Sequence, residues 1–200
     1  MTDSDSIIEL LRSSFTIRHD PWRVEDAVDA MSVFPANHIA ALTHALADED
    51  DELRLLAVEI LYAMGKEAEP ALPALIRSLN DQDRIVRVAS VEPIAAFGQK
   101  SIDAIPILEG WLDSGDEFSE VTAAAAIARI DHCRADDVLP VLVDALESDD
   151  FGIKCNAAWH LGELGPVAKD SVPALKRLLG DESIRSFARE AIMNITGEET

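Results

Sequence analysis

Apolar residues recur at i, i+3 and i+7 in four stretches of this chain. They are Leu72, Leu75 and Leu79; Ile105, Leu108 and Leu112; Leu139, Leu142 and Leu146; and Val172, Leu175 and Leu179. This spacing keeps one face of a 3.6-residue helix apolar. Pro73, Pro106, Pro140 and Pro173 stand near the start of each stretch, where the first-turn N–H groups have no intrahelical acceptor to lose. An acidic turn follows, as at residues 47–52, whose carboxylates suit the cap and dipole of a second helix. That second helix runs through Leu53, Ala57, Leu61 and Met64 and stops at Gly65. Gly98 and Gly165 hold the same place and are expected as left-handed residues just past the helix end. The pattern predicts helical hairpins and no strand.

The hairpins repeat. Leu46, Leu79, Leu112, Leu146 and Leu179 are 33, 33, 34 and 33 residues apart, and Ala57, Ser90, Ala123, Ala157 and Ala188 keep a small residue in the same register. A short hairpin cannot bury both its faces alone, so such repeats stack on their neighbours. The expected boundaries are 37–69, 70–102, 103–136, 137–169 and 170–197, forming one continuous solenoid over 37–200. Residues 1–36 read as a divergent capping hairpin, with Asp20-Pro21 starting its second helix. Pro93 lies inside a second helix and should kink it.

Leu53-Arg54, Val86-Arg87 and Ile184-Arg185, each ahead of the small residue, closely resemble the HEAT-repeat family in its short bacterial, phycobilisome-lyase-like form. The resemblance covers residues 37–197 in five copies and implies an all-α, right-handed α-α superhelix of the armadillo type. It also implies a ladder between repeats, from Asp48, Asp81 and Asp181 to Arg54, Arg87 and Arg185, with Lys154 a partial match. The third repeat departs, with Ser114, Glu120 and Asp131 where the Asp, Arg and Gly belong.

Composition narrows the function. Seventeen basic residues against 38 acidic give a formal net charge of −21. Nucleic-acid affinity comes largely from cations that displace counterions, so nucleic acid and anionic membrane are excluded as partners. A basic protein partner suits the sign. Cys133 and Cys155 lack a framework spacing and read as buried thiols of a reducing compartment. With no secretory signal and no apolar run long enough to span a membrane, the expected location is cytoplasmic.

No catalytic motif stands out. None of the five histidines precedes a glutamate, so the His-Glu pairs that hold iron in helical-repeat hydroxylases are missing. No cluster has metal-ligand spacing, and neither metal nor cofactor is expected. The expected function is a protein-interaction scaffold or adaptor, monomeric or weakly dimeric. A bilin-lyase-like enzyme or enzyme subunit, acting on a prosthetic group or its carrier protein, is the alternative.

Two surfaces are candidates. On the second helices, positions lying roughly 140–200° from the small core residue should face a concave groove. Their occupants include Leu55, Glu59, Tyr62, Val88, Glu92, Val121, Trp159, Glu190 and Met193, an apolar floor with carboxylates rather than an idle charged face. The acidic turns supply a second surface, an edge of Asp48, Glu49, Asp50, Asp51, Asp81, Asp83, Asp149 and Asp150. Capping uses one carboxylate per turn, so the edge carries an excess.

Overall fold

A computed structural model describes residues 38–198. The expected capping hairpin at 1–36 lies outside them. The described residues contain helices and turns and no strand. They fall into two compact units, one ending at Phe97 and the other beginning at Gly98.

In the first unit, α1 (His38–Ala45) and α2 (Asp51–Ala63) form one hairpin. A 3₁₀ segment, Gly65–Ala71, leads into α3 (Leu72–Ser78), which is followed by α4 (Arg84–Ala89) and α5 (Val91–Ala96). α2 packs against α1 and against both α4 and α5. The buried arc of α2 includes Leu53, Leu56, Ala57, Val58, Ile60 and Leu61. Pro93 does more than kink the second helix: it cannot donate to the Ala89 carbonyl, and the helix divides at Ser90. The Ser90 hydroxyl donates to the Val86 carbonyl at 2.8 Å beside the break.

The second unit contains α6 (Ile105–Glu109), α7 (Glu117–Ile130), α8 (Ala135–Ala145), α9 (Phe151–Leu164), α10 (Val172–Leu178) and α11 (Arg185–Thr196). α7 packs on α6, α8 and α9, and α11 on α9 and α10. Pro106 and Pro173 occupy first-turn positions, as does Pro73 in the first unit. Pro140 instead lies inside α8. Its repeat follows Asp131 rather than glycine. Asp131 stays extended (φ −134°, ψ 98°), caps the Cys133 amide at 3.0 Å, and lets a helix start after three residues of 3₁₀ turn. The other first helices of this unit follow seven-residue 3₁₀ segments.

Gly65, Gly98 and Gly165 have φ of 54, 55 and 56°. The positive φ matches expectation, but Gly165 has ψ −137° and so is not left-handed helical. That combination turns the chain sharply into the 3₁₀ segment and strains any residue with a Cβ. Two further expectations fail. Cys133 is exposed and Cys155 half-buried, because one sits in the turn after α7 and the other on the flank of α9.

Candidate interaction surfaces

Each turn between paired helices is closed by the same short hydrogen bond. The Asp48 carboxylate accepts from the Asp50 amide (3.1 Å), Asp81 from Asp83 (2.8 Å), and Asp181 from Ser183 (2.9 Å). The Ser114 and Ser148 hydroxyls do likewise for Asp116 (3.3 Å) and Asp150 (3.1 Å). The residue two places on then faces the helix. Asp50 accepts from the Glu52 amide, Asp83 from Ile85 and Val86, and Asp150 from Gly152 and Ile153.

Much of the expected acidic edge is therefore turn and cap. Asp48, Asp50, Asp81, Asp83 and Asp150 all hold backbone amides, while Glu49, Asp51 and Asp149 are exposed. The signal in the sequence is Asp or Ser, any residue, then Asp or Ser, once per repeat. Counting carboxylates alone hides it, because serine serves equally well as the first acceptor.

Among the described residues, the ladder expected from the Arg and Asp positions is realised in full at Arg54. The Arg54 guanidinium makes two bonds to the Asp81 carboxylate, both 2.8 Å, and two more to the Asp48 and Glu49 carbonyls. The side chains of this pair are 5% and 8% exposed. Burial by itself would raise the Asp81 pKa, yet Arg54 and the Asp83 amide hold it below the ordinary 3.8. Arg87 reaches only the Asp81 and Gln82 carbonyls of its own turn.

In the second unit the charges change. Glu120, in the arginine position, accepts from the Gly115 amide (2.8 Å), and the Ser148 hydroxyl donates to Glu117 (2.9 Å). Further on, the Ser183 hydroxyl and amide lower the Asp181 pKa against an opposing effect of burial, with lesser help from the Lys154 and Arg185 charges.

At the positions of the first unit expected to face a groove, Tyr62 is 53% exposed. Leu55, Val88 and Glu92 are half-buried. Glu59 is exposed by area, but its partly desolvated carboxyl is pushed above the ordinary 4.5 by burial. In the second unit Trp159 is 45% exposed, Met193 43%, and Glu190 is exposed. The Trp159 ring lies against that of His160, with centroids 4.7 Å apart and planes inclined at 58°.

Val121 does not belong to this surface. It is fully buried, as are Ala125 and Ala128 on the same side of α7. The cause is composition: with Ala123 to Ala126 in a row, residues 121–128 of α7 carry no charge on any side, and such a stretch is enclosed. Gly162 is also turned inward. A Cβ there would stand 3.0 Å from the Ala191 Cα on α11, so the glycine permits close approach of α9 and α11.

Among the described residues, no group of three or more His, Cys, Asp or Glu side chains is placed to hold a metal ion. No described helix is long and apolar enough to cross a membrane.

Comparisons with known proteins agree with this architecture. A family model described as HEAT repeats matches residues 39–128 and 115–196. No curated protein matches. An engineered protein of known crystal structure is similar at a TM-score of 0.63 and 24% identity, covering 98% of this chain and 92% of its own. A designed armadillo repeat protein, solved in complex with the peptide (KR)4, gives a TM-score of 0.59 and 19% identity over 98% of this chain and all of its own. The CpcE–CpcF phycocyanin lyase complex of a Nostoc species reaches a TM-score of only 0.49 at 20% identity, covering 95% and 94%. At these identities the likeness is one of fold.

Proposed function

The chain belongs to the HEAT-repeat family, and we propose that it is a protein-interaction scaffold whose second helices hold a segment of a partner protein. The observation that carries this reading is the exposure of Trp159 at a position that the other repeats fill with glutamate or alanine. Trp159 shares its register with Glu59, Glu92, Ala125 and Glu190, so the repeat does not require an aromatic there. A rigid, exposed indole buries much area at little entropic cost, which makes it a typical interface anchor. Tyr62 offers the same in the first unit, beside the partly desolvated Glu59 carboxyl.

The charge of −21 favours a basic partner. A likeness in fold to a designed repeat protein bound to the peptide (KR)4 is consistent with that preference. The absence of nucleic acid and membrane from the proposed partners follows from the same charge. The reading also carries the cytoplasmic location and the monomeric or weakly dimeric state expected from the sequence.

A photo-crosslinking residue placed at Tyr62 or at Trp159 tests the proposal inside cells. Discrete protein adducts at these positions, missing from a control at exposed Ile102, are expected. Trp159→Ala should leave stability within about 1 kcal/mol while weakening the captured complex by about 2 kcal/mol. Adducts no different from the control, or a steep fall in melting temperature for Trp159→Ala, would remove the surface from consideration.

A further inference from the structure

We infer that Trp159, Glu163 and Glu190 form a receptor for one cationic side chain, arginine or lysine, of the bound segment. The inference rests on the scaffold reading and names the chemistry of one position within it.

One close contact fixes the geometry. Gly162 faces Ala191, where an added Cβ would lie 3.0 Å from the Cα, and Gly165 faces the Asn194 carbonyl, 3.8 Å from its own added Cβ. Both chain segments advance three residues between these contacts, the second lying just past the end of α9, so α9 and α11 run parallel. Glu190, one residue before Ala191, therefore stands level with about Leu161. That level lies between Trp159 and Glu163, which are one helical turn apart on α9 and so neighbours on its surface.

All three point to the same side of the helix pair. On a 100° wheel, Trp159 and Glu163 lie roughly 60–100° from the direction of Gly162, and Glu190 lies about 100° from Ala191 in the opposite sense. In parallel helices packed through Gly162 and Ala191, those opposite rotations bring the side chains to one face. This arrangement sets the exposed indole beside two exposed carboxylates. Its ring is already seated against His160, so little freedom remains to be lost on binding.

Each element of this arrangement favours a cation. The indole face attracts one through its quadrupole, and two carboxylates add charge within reach. Glu163 also sits in the last turn of α9, at the negative end of the helix dipole. Lys154, Arg185 and Arg189 lie on other arcs of the two helices, so no basic residue of α9 or α11 shares this one.

The full chain, labelled with ¹⁵N, gives three indole N–H signals, from Trp22, Trp111 and Trp159. Trp159→Phe assigns the third. Titration with an alternating Lys-Arg octapeptide should move the Trp159 signal saturably, whereas a Gln-Ser octapeptide should not. The double variant Glu163→Gln/Glu190→Gln, altered only at exposed positions, should bind the basic octapeptide about tenfold more weakly.

Binding that moves other amides and leaves Trp159 still would overturn the inference. So would a Trp159 response equal for both peptides, or one indifferent to the double variant. No binding of the basic octapeptide would overturn it as well. None of these outcomes disturbs the crosslinking result, which judges the scaffold reading separately.

Discussion

The two units solve one problem, joining successive hairpins, with different physics. In the first, a buried charge joins them: Arg54 spans from its own turn to the Asp81 carboxylate, with both side chains withdrawn from water. In the second, small residues do so. Gly162 lets α9 meet α11 at backbone distance, and the alanines of α7 let its neighbours close in. The polar contacts between hairpins there, among them Ser148 to Glu117, Arg134 to Glu109 and Arg177 to Glu147, each end on an exposed carboxylate. A buried ion pair is intolerant of losing one partner, whereas a close-packed seam is intolerant of gaining volume. The same fold is thus vulnerable in opposite ways along its length.

The largest effect should come from Asp81→Ala, which strands the Arg54 charge. A loss of about 3–5 kcal/mol by urea denaturation is expected, and a loss under about 1 kcal/mol would break the contrast. Replacing both partners with apolar residues of similar size should cost far less. The pH dependence has a definite sign. Since folding lowers the Asp81 pKa, the pair's contribution is complete above 3.8 and fades as pH drops through the lower folded value. The gap between wild type and Asp81→Ala should accordingly narrow in acid below that point.

Next in size is Gly162→Val. Its new atoms would meet the backbone of Ala191, which cannot swing aside as a side chain would. Overpacking of this kind costs about 1–3 kcal/mol and should appear as a lowered melting temperature. A neutral result would mean that the seam is looser than 3.0 Å implies. Ser148→Ala should cost least, about 1 kcal/mol in the same measurement, because water can replace the hydroxyl both at exposed Glu117 and at the amide of exposed Asp150. A loss of 3 kcal/mol or more would show that the second unit also depends on a polar rung.

Much of this contrast was legible beforehand. The 33-residue period located the hairpins, Pro93 the helix break, and the Arg and Asp positions the rung at Arg54. What escaped the sequence was the third dimension of the second helices. A wheel drawn on one helix sees an inner and an outer face, but a stacked helix also has flanks. Val121 and Gly162 sit on flanks that neighbouring elements cover. Trp159, some 60° beyond Gly162 on the wheel, clears the seam and remains open. The serines of the turns were missed for a chemical reason: a hydroxyl and a carboxylate accept the same amide, so the feature that recurs from turn to turn was an acceptor rather than a charge.

That interchange bears on how such a chain can change its length. Each turn satisfies its own amides from within, through a side chain only two residues distant. Inserting or deleting a whole hairpin thus orphans no donor at the cut, and the new junction needs only matched apolar faces. Duplication is cheap wherever joins resemble the one at Gly162, and constrained beside Arg54, whose charge must meet a carboxylate again after any rearrangement. A variant lineage would be expected to lengthen or shorten through its glycine and alanine seams first, leaving the Arg54–Asp81 pair as a fixed point.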